Sequence, residues 1–267
     1  MFFADYHLHT NFSSDAVASP EEMVKAAVEK GLSEVAFTDH VDYDYPDDDS
    51  IFMIDYDKYF SVFEDIKNRY SDKINIKIGV EIGLQEHIKD RIEEFIAKYP
   101  FDFIIGSSHC ADRMNLMKPD FFASRTKVQA YTRFFENELA NAKIYENINV
   151  YGHLDYISRY GIYEDNRLFY SDYVEILDEI LKVLIKTGRG IEINTSGYRY
   201  GMNTVYPQFE IIKRYKELGG EILTIGSDAH STGYIADHFD TALNLAKEAG
   251  FGYLTSFTGR KPEFKKI

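Results

Sequence analysis

Asp5-Tyr6-His7-Leu8-His9-Thr10 closes the first β-rich run of the chain, Phe2–Leu8, and decides how the rest is read. A strand that ends in two imidazoles two residues apart sends both to the same side of its sheet. In parallel α/β sheets and barrels, sites are built at the C-terminal ends of strands. The same arrangement recurs down the chain. Phe37-Thr38-Asp39-His40, Gly106-Ser107-Ser108-His109, Tyr151-Gly152-His153 and Gly226-Ser227-Asp228-Ala229-His230 each end a β-rich run, and Gly79-Val80-Glu81 adds a carboxylate at an equivalent place. Six of the eight histidines therefore sit at strand ends.

Outward from these ends, strands are predicted over Phe2–Leu8, Glu34–Thr38, Ile74–Val80, Phe103–Ser107, Asn149–Gly152, Gly190–Asn194 and Ile222–Ser227. Tyr253–Phe257 reads as an eighth strand or a closing segment. Apolar spacing near 3.6 predicts helices over Pro20–Lys30 (after a capping Ser19), Tyr56–Tyr70, Glu86–Lys98, Val128–Tyr145, Asp172–Lys186, Gln208–Leu218 and Thr241–Ala249. Strands alternating with helices over this length predict an α/β protein, a (β/α) barrel with a seven-stranded variant in view. An open doubly wound sheet is the competitor, but no G-x-G-x-x-G or P-loop follows any strand. No repeat or linker divides the chain, so residues 1–267 read as one domain. The acidic run Asp42–Asp49 is a surface loop.

Composition narrows the function. No apolar run approaches the roughly 20 residues that span a bilayer, and the N-terminus lacks a basic, apolar secretion leader. A single cysteine, Cys110, excludes an internal disulfide and suits a reducing compartment, so a soluble cytoplasmic protein is expected. The 21 Tyr and 20 Phe, with no Trp, are read as core packing. A formal net charge of −14 disfavours a broad nucleic-acid-binding face. A small phosphorylated partner remains admissible where the site itself is positive.

Any one of these histidines could be a hydrogen-bonded core residue. Five strand ends converging on imidazole and carboxylate are not explained by packing, because such groups are costly together without metal or protons between them. Asp228 and His230 repeat the spacing of His7 and His9, with small Ser227 and Ala229 between and before them.

With these motifs, joined by Gly79-Val80-Glu81-Ile82-Gly83, Gly152-His153-Leu154-Asp155 and Glu192-Ile193-Asn194-Thr195, the chain resembles the PHP (polymerase and histidinol phosphatase) superfamily along its whole length. Within it the chain is most similar to the stand-alone histidinol-phosphate phosphatases. The resemblance implies a distorted (β/α)7 barrel with two to three divalent ions (Zn, Mn or Fe). One would sit among His7, His9, Glu81 and Asp228, and a second would share Glu81 and add His109 and His153. A third would take Asp15, His40 and His230. Some relatives carry histidine where this chain has Asp15, a change expected to shift the preferred ion.

The implied chemistry is phosphomonoester hydrolysis, of L-histidinol phosphate in histidine biosynthesis, by a metal-bridging hydroxide. Three divalent ions against three carboxylates would leave the site positive enough for a phosphate dianion. Metal lowers the pKa of bound water to about 7. Arg159 and Arg199, each following a strand end, are candidates to bind phosphate. Asp42 is a candidate to protonate the leaving oxygen, and His238 one to reach substrate. Cys110 lacks the C-x5-R cradle of thiol phosphatases and is read as packing, and His87 as helix surface. The alternatives are another phosphoester (nucleotide, phosphosugar or phosphotyrosine), an amidohydrolase-like enzyme, in which Asp15, His40 and His230 would have no purpose, and a non-enzymatic metal binder.

Overall fold

The structure, a computed structural model, describes residues 3–46, 48 and 50–267. The start of the first predicted strand at Phe2, and Asp47 and Asp49 of the acidic run, lie outside the described residues.

Seven parallel strands carry the fold: β1 (Ala4–Leu8), β2 (Glu34–Phe37), β3 (Asn75–Gly83), β4 (Phe103–Ser107), β5 (Val150–Tyr151), β6 (Gly190–Asn194) and β7 (Leu223–Gly226). They pair in chain order. Just beyond β7, Ala229 bridges Leu8 in parallel, and its carbonyl accepts the His9 N–H at 3.0 Å. The result is a nearly closed barrel. The longer helices outside it are α1 (Pro20–Glu29), α2 (Tyr56–Arg69), α3 (Lys89–Lys98), α4 (Lys127–Ile144), α5 (Val174–Lys186), α6 (Phe209–Glu217) and α7 (Phe239–Glu248). No helix among the described residues is long and apolar enough to cross a membrane.

Local chemistry sets these elements. The Ser19 side chain caps α1 by accepting from Glu22 N, the Glu22 carboxylate accepts from Ser19 N at 2.8 Å, and Pro20 sits where its missing N–H costs nothing. In α5, Leu177, Ile180, Leu181 and Leu184 fall on one stripe and are buried against the barrel. Each such side chain contributes about 1.5–3 kcal/mol relative to exposure. Tyr56, Phe60, Phe95, Tyr99 and Phe101 pack ring against ring between α2 and α3, which accounts for part of the aromatic content.

Inside the barrel, an irregularity in the β1–β2 register between Asp5 and Leu8 matters most. Ala4 and Tyr6 belong to the inner cluster with Phe103, Ile105 and Val150, whereas Leu8 joins the outer core. An uninterrupted strand would therefore turn His7 and His9 outward. The irregularity switches the inward parity from 4 and 6 to 7 and 9, so both imidazoles face the barrel axis.

The sequence reading differs from the structure in three places that bear on the site. The Ile74–Val80 run extends to Gly83, so Glu81 lies within β3, paired with His40 in a short parallel bridge. The helix expected from Glu86 starts at Lys89, after a 3-10 turn at Glu86–Ile88, and His87 there meets Asp44 at 2.6 Å. Tyr253–Phe257 does not enter the barrel. β8 (Tyr253–Thr258) pairs antiparallel with β9 (Lys261–Lys266), and Phe257 packs on Phe103 at 5.0 Å beneath Tyr6, filling the end opposite the histidines.

Candidate functional site

At the C-terminal mouth, one carboxylate organises the histidines. Glu81 Oε1 lies 3.2 Å from His109 Nε2 and 3.0 Å from His153 Nε2. Its Oε2 lies 3.1 Å from His7 Nε2, 3.5 Å from His9 Nε2 and 3.2 Å from His40 Nδ1. Ser107 Oγ donates to Oε1 at 2.6 Å and fixes its plane. Asp228 Oδ1 lies 3.4 Å from both His9 Nε2 and His230 Nδ1. Further out, half-exposed Asp15 brings Oδ2 to 3.5 Å from His40 Nε2 and 3.3 Å from His230 Nε2. All nine predicted ligand positions thus converge from six strand ends and one loop.

The donor set fits divalent metal. Nitrogen and oxygen atoms held at about 2.0–2.1 Å around a tetrahedral ion lie roughly 3.4 Å apart, which is the spacing found here. Among the described residues, four groupings have every ligand atom within 4.8 Å of the others: His7, His9 and Glu81; Glu81, His109 and His153; His9, His40 and His230; and His40, Asp42 and His109. His7 Nε2, both ring nitrogens of His9 and His40 Nδ1 are buried with no hydrogen-bond partner among the described residues. Such groups are costly unless an ion takes the lone pair.

Electrostatics agrees. Burial favours neutral imidazole, and burial with neighbouring His230 and His40 pushes His9 down to about 3. Burial opposes the charge on His109 too, but Asp42 and Glu81 outweigh it and lift that ring to about 10. Glu192, Glu81 and Asp228 likewise overcome burial to raise His7. Burial works against ionisation of Glu81, yet His7, His109 and His40 together hold its carboxyl well below the ordinary range. The cavity is built for cations.

Arg159 stands on the cavity wall with Tyr156, Tyr160 and Tyr200. Its guanidinium lies 3.1 Å from the Tyr200 ring centre and 4.8 Å from that of Tyr160, which holds the fork over the mouth. Tyr45, Phe52 and Met117 line the same cavity.

Three other expected side chains are placed differently. Arg199 donates to the carbonyls of Ser227 (3.1 Å) and Asp228 (2.7 Å), so it supports the β7 loop and does not line the cavity. Asp42 is buried behind His109, accepting from Nδ1 at 2.6 Å, and is likewise off the cavity wall. His238 sits half-exposed at the start of α7, stacked on Tyr198 with ring centres 4.2 Å apart. That stacking keeps it from the cavity.

Sequence reasoning missed the carboxylates behind the ligands. Asp5 accepts from Ser227 N and Oγ, Ala236 N and His7 N, tying β1 to the β7 loop. Asp39 accepts from N and Oγ of both Thr10 and Ser13, tying the β1 and β2 ends. Burial pushes both up to about 6 against those donors. Each stands two residues before a quoted histidine or next to one, and that adjacency was the available signal.

The fold and the histidine–carboxylate mouth define a class. The PHP domain family profile matches residues 5–196, and the chain belongs to that family. It is 35% identical over 267 residues to the histidinol-phosphatase of Lactococcus lactis, covering 98% of this chain and 97% of that protein. It is 37% identical over 244 residues to a probable histidinol-phosphatase of Clostridium acetobutylicum, covering 91% and 92%. Among solved structures, the Lactococcus lactis histidinol phosphate phosphatase complexed with zinc, L-histidinol and phosphate matches with a TM-score of 0.92 at 34% identity. That match covers 98% of this chain and 99% of that one.

Proposed function

We propose that the chain is a metal-dependent phosphomonoesterase that hydrolyses L-histidinol phosphate to L-histidinol and phosphate, a step of histidine biosynthesis. The observation that carries the proposal is Glu81, one buried carboxylate within 3.5 Å of nitrogens on five histidines. Nearly full-length similarity to a phosphatase solved with zinc, L-histidinol and phosphate supports the substrate.

His7, His9, Glu81 and Asp228 would hold one divalent ion, Glu81, His109 and His153 a second, and Asp15, His40 and His230 a third. Zinc, manganese or iron suits these N/O donors. When bound, such ions polarise phosphoryl oxygens and lower the pKa of water to about 7. Arg159, held by tyrosine rings at the mouth, would take phosphate oxygens bidentately. Asp42 could serve the leaving oxygen only by releasing His109, so its first task is to orient that ring, and Arg199 supports the Asp228 loop. We assign the activity to one barrel unit over residues 1–267 and place it in the cytoplasm, where Cys110 stays reduced. The approach of Asp15 Oδ2 to within 3.5 Å of both His40 and His230 favours this reading over an amidohydrolase-like one, which has no use for that set.

The test is phosphate release from L-histidinol phosphate, a nucleotide and a phosphosugar, by protein stripped of metal and reloaded with zinc, manganese or iron. Metal-restored turnover selective for histidinol phosphate is expected. Turnover of another ester would remove the substrate claim, and no turnover with any metal would remove the phosphatase.

A further inference from the structure

Glu192 lies on β6, inside the barrel and fully buried, yet belongs to none of the four groupings able to hold an ion. Both of its oxygens are engaged elsewhere. Oε1 lies 2.7 Å from His7 Nδ1. Oε2 accepts the His153 backbone N–H at 3.1 Å and the Asn194 Nδ2 amide at 3.1 Å. His7 comes from β1 and His153 from the end of β5, and they approach opposite oxygens of Glu81. We infer that Glu192 is a positioning residue that orients two metal ligands from different strands at once, coupling the ion held through His7 to the ion held through His153. The inference rests on the metal reading proposed above.

The chemistry of the two contacts is specific. A carboxylate accepting from His7 Nδ1–H fixes the tautomer that leaves the Nε2 lone pair free, and Nε2 is the atom facing Glu81. The second oxygen pins the backbone of His153, whose φ of 22° lies at the edge of the left-handed region that non-glycine residues rarely adopt. Space for the arrangement comes from Gly226. A Cβ there would overlap both Glu192 Oε1 and His7 Cβ.

A glutamine cannot replace this carboxylate. With its oxygen toward His7, its NH2 faces two donors, the His153 N–H and the Asn194 amide. With its NH2 toward His7, Nδ1 must become the acceptor, and the proton moves to Nε2, the atom needed for metal. Either orientation disturbs one ligand directly, and the other ion is affected with it because His7 and His153 face opposite oxygens of the same Glu81.

The test titrates metal-stripped wild type and Glu192→Gln with zinc by calorimetry, checking bound metal by elemental analysis and the fold of both apoproteins by circular dichroism. Wild type is expected to take up more than one ion. Glu192→Gln should bind the ions of the His7 and His153 groupings about 10- to 100-fold more weakly, together. The ion of Asp15, His40 and His230 should be retained. If Glu192→Gln does not fold, Glu192→Asp takes its place. One methylene shorter, it keeps the charge but reaches only one partner, and the same paired weakening is expected. Wild-type affinities in the folded variant, or weakening of one ion alone, would overturn the coupling. A wild-type protein that binds no zinc would instead overturn the metal reading and this inference with it.

Discussion

Asp42→Asn separates two jobs that the same carboxylate could do. Asp42 Oδ1 accepts from His109 Nδ1 at 2.6 Å, and the buried Oδ2 lies 3.5 Å from His40 Nδ1. A hydrogen bond to a charged group contributes about 1.5–3 kcal/mol. The asparagine oxygen can still accept from His109, so roughly half of that is lost, or about 0.8–1.5 kcal/mol, up to about tenfold in an equilibrium. If Asp42 orients His109, the zinc concentration giving half-maximal activity should rise by up to about tenfold. Turnover at saturating zinc should then change equally for L-histidinol phosphate and for 4-nitrophenyl phosphate. The second ester matters because its leaving phenolate needs no proton. Loss of a general acid would instead cost about 10²- to 10⁴-fold on the alkyl ester alone. Steady-state kinetics of both esters across a zinc series makes the measurement. A selective collapse on histidinol phosphate at saturating zinc would refute the orienting role and return the proton-donor role to Asp42.

Further expectations concern charge, metal, acid and space. Arg159→Ala should lower kcat/KM about 10²- to 10³-fold through lost charge-assisted bonds to phosphate, and Arg159→Lys should recover only part of it, as read by initial rates. Removing the ions should lower the melting temperature in calorimetry. Zinc at a hundred times its dissociation constant contributes about 2.7 kcal/mol per site, or roughly 5–10 °C. Asp178 accepts from Arg214 at 2.6 and 2.9 Å and from Tyr170 at 2.7 Å, and these partners, Arg214 foremost, hold its folded carboxyl below the ordinary carboxylate range. Its stabilisation is therefore complete above the unfolded pKa near 4. It fades as pH falls through the lower folded value. Asp178→Asn should melt lower than wild type at pH 7, with the difference shrinking towards pH 2. Gly226→Ala should cost about 1–3 kcal/mol of overpacking, measured by urea unfolding of the metal-free protein.

The histidines were legible because strand ends in a parallel barrel all open on one face, so β-rich runs ending in His7, His40, His109, His153 and His230 already describe a cluster. Glu81 was legible for the same reason, although its strand runs three residues further than its apolar stretch. Partnerships across the barrel were not. Glu192 meets His7 across 185 positions and Asp5 meets Ser227 across 222, and no local pattern encodes such distances. The register irregularity in β1 was equally hidden, since the H-x-H spacing reads the same whether the pair faces in or out. For Arg199 and Asp42, residue type suggested catalysis, but hydrogen bonding to the Asp228 carbonyl and to His109 decides what each side chain touches.

The seam at Leu8 and Ala229 has a bearing on how the protein comes to exist in a cell. Synthesis delivers β1 well before β7, so His7 and His9 are made before the Asp228 and His230 that face them across the seam. Without β7, Leu8 at the seam lacks its Ala229 partner, and the site is short of the Asp228 and His230 donors. Closing the seam through Ala229 completes the wall and supplies the missing donors in one event. Full loading of the sites that use Asp228 and His230 therefore requires a closed seam, and a fragment ending before β7 is expected to hold those ions more weakly than the chain that includes it.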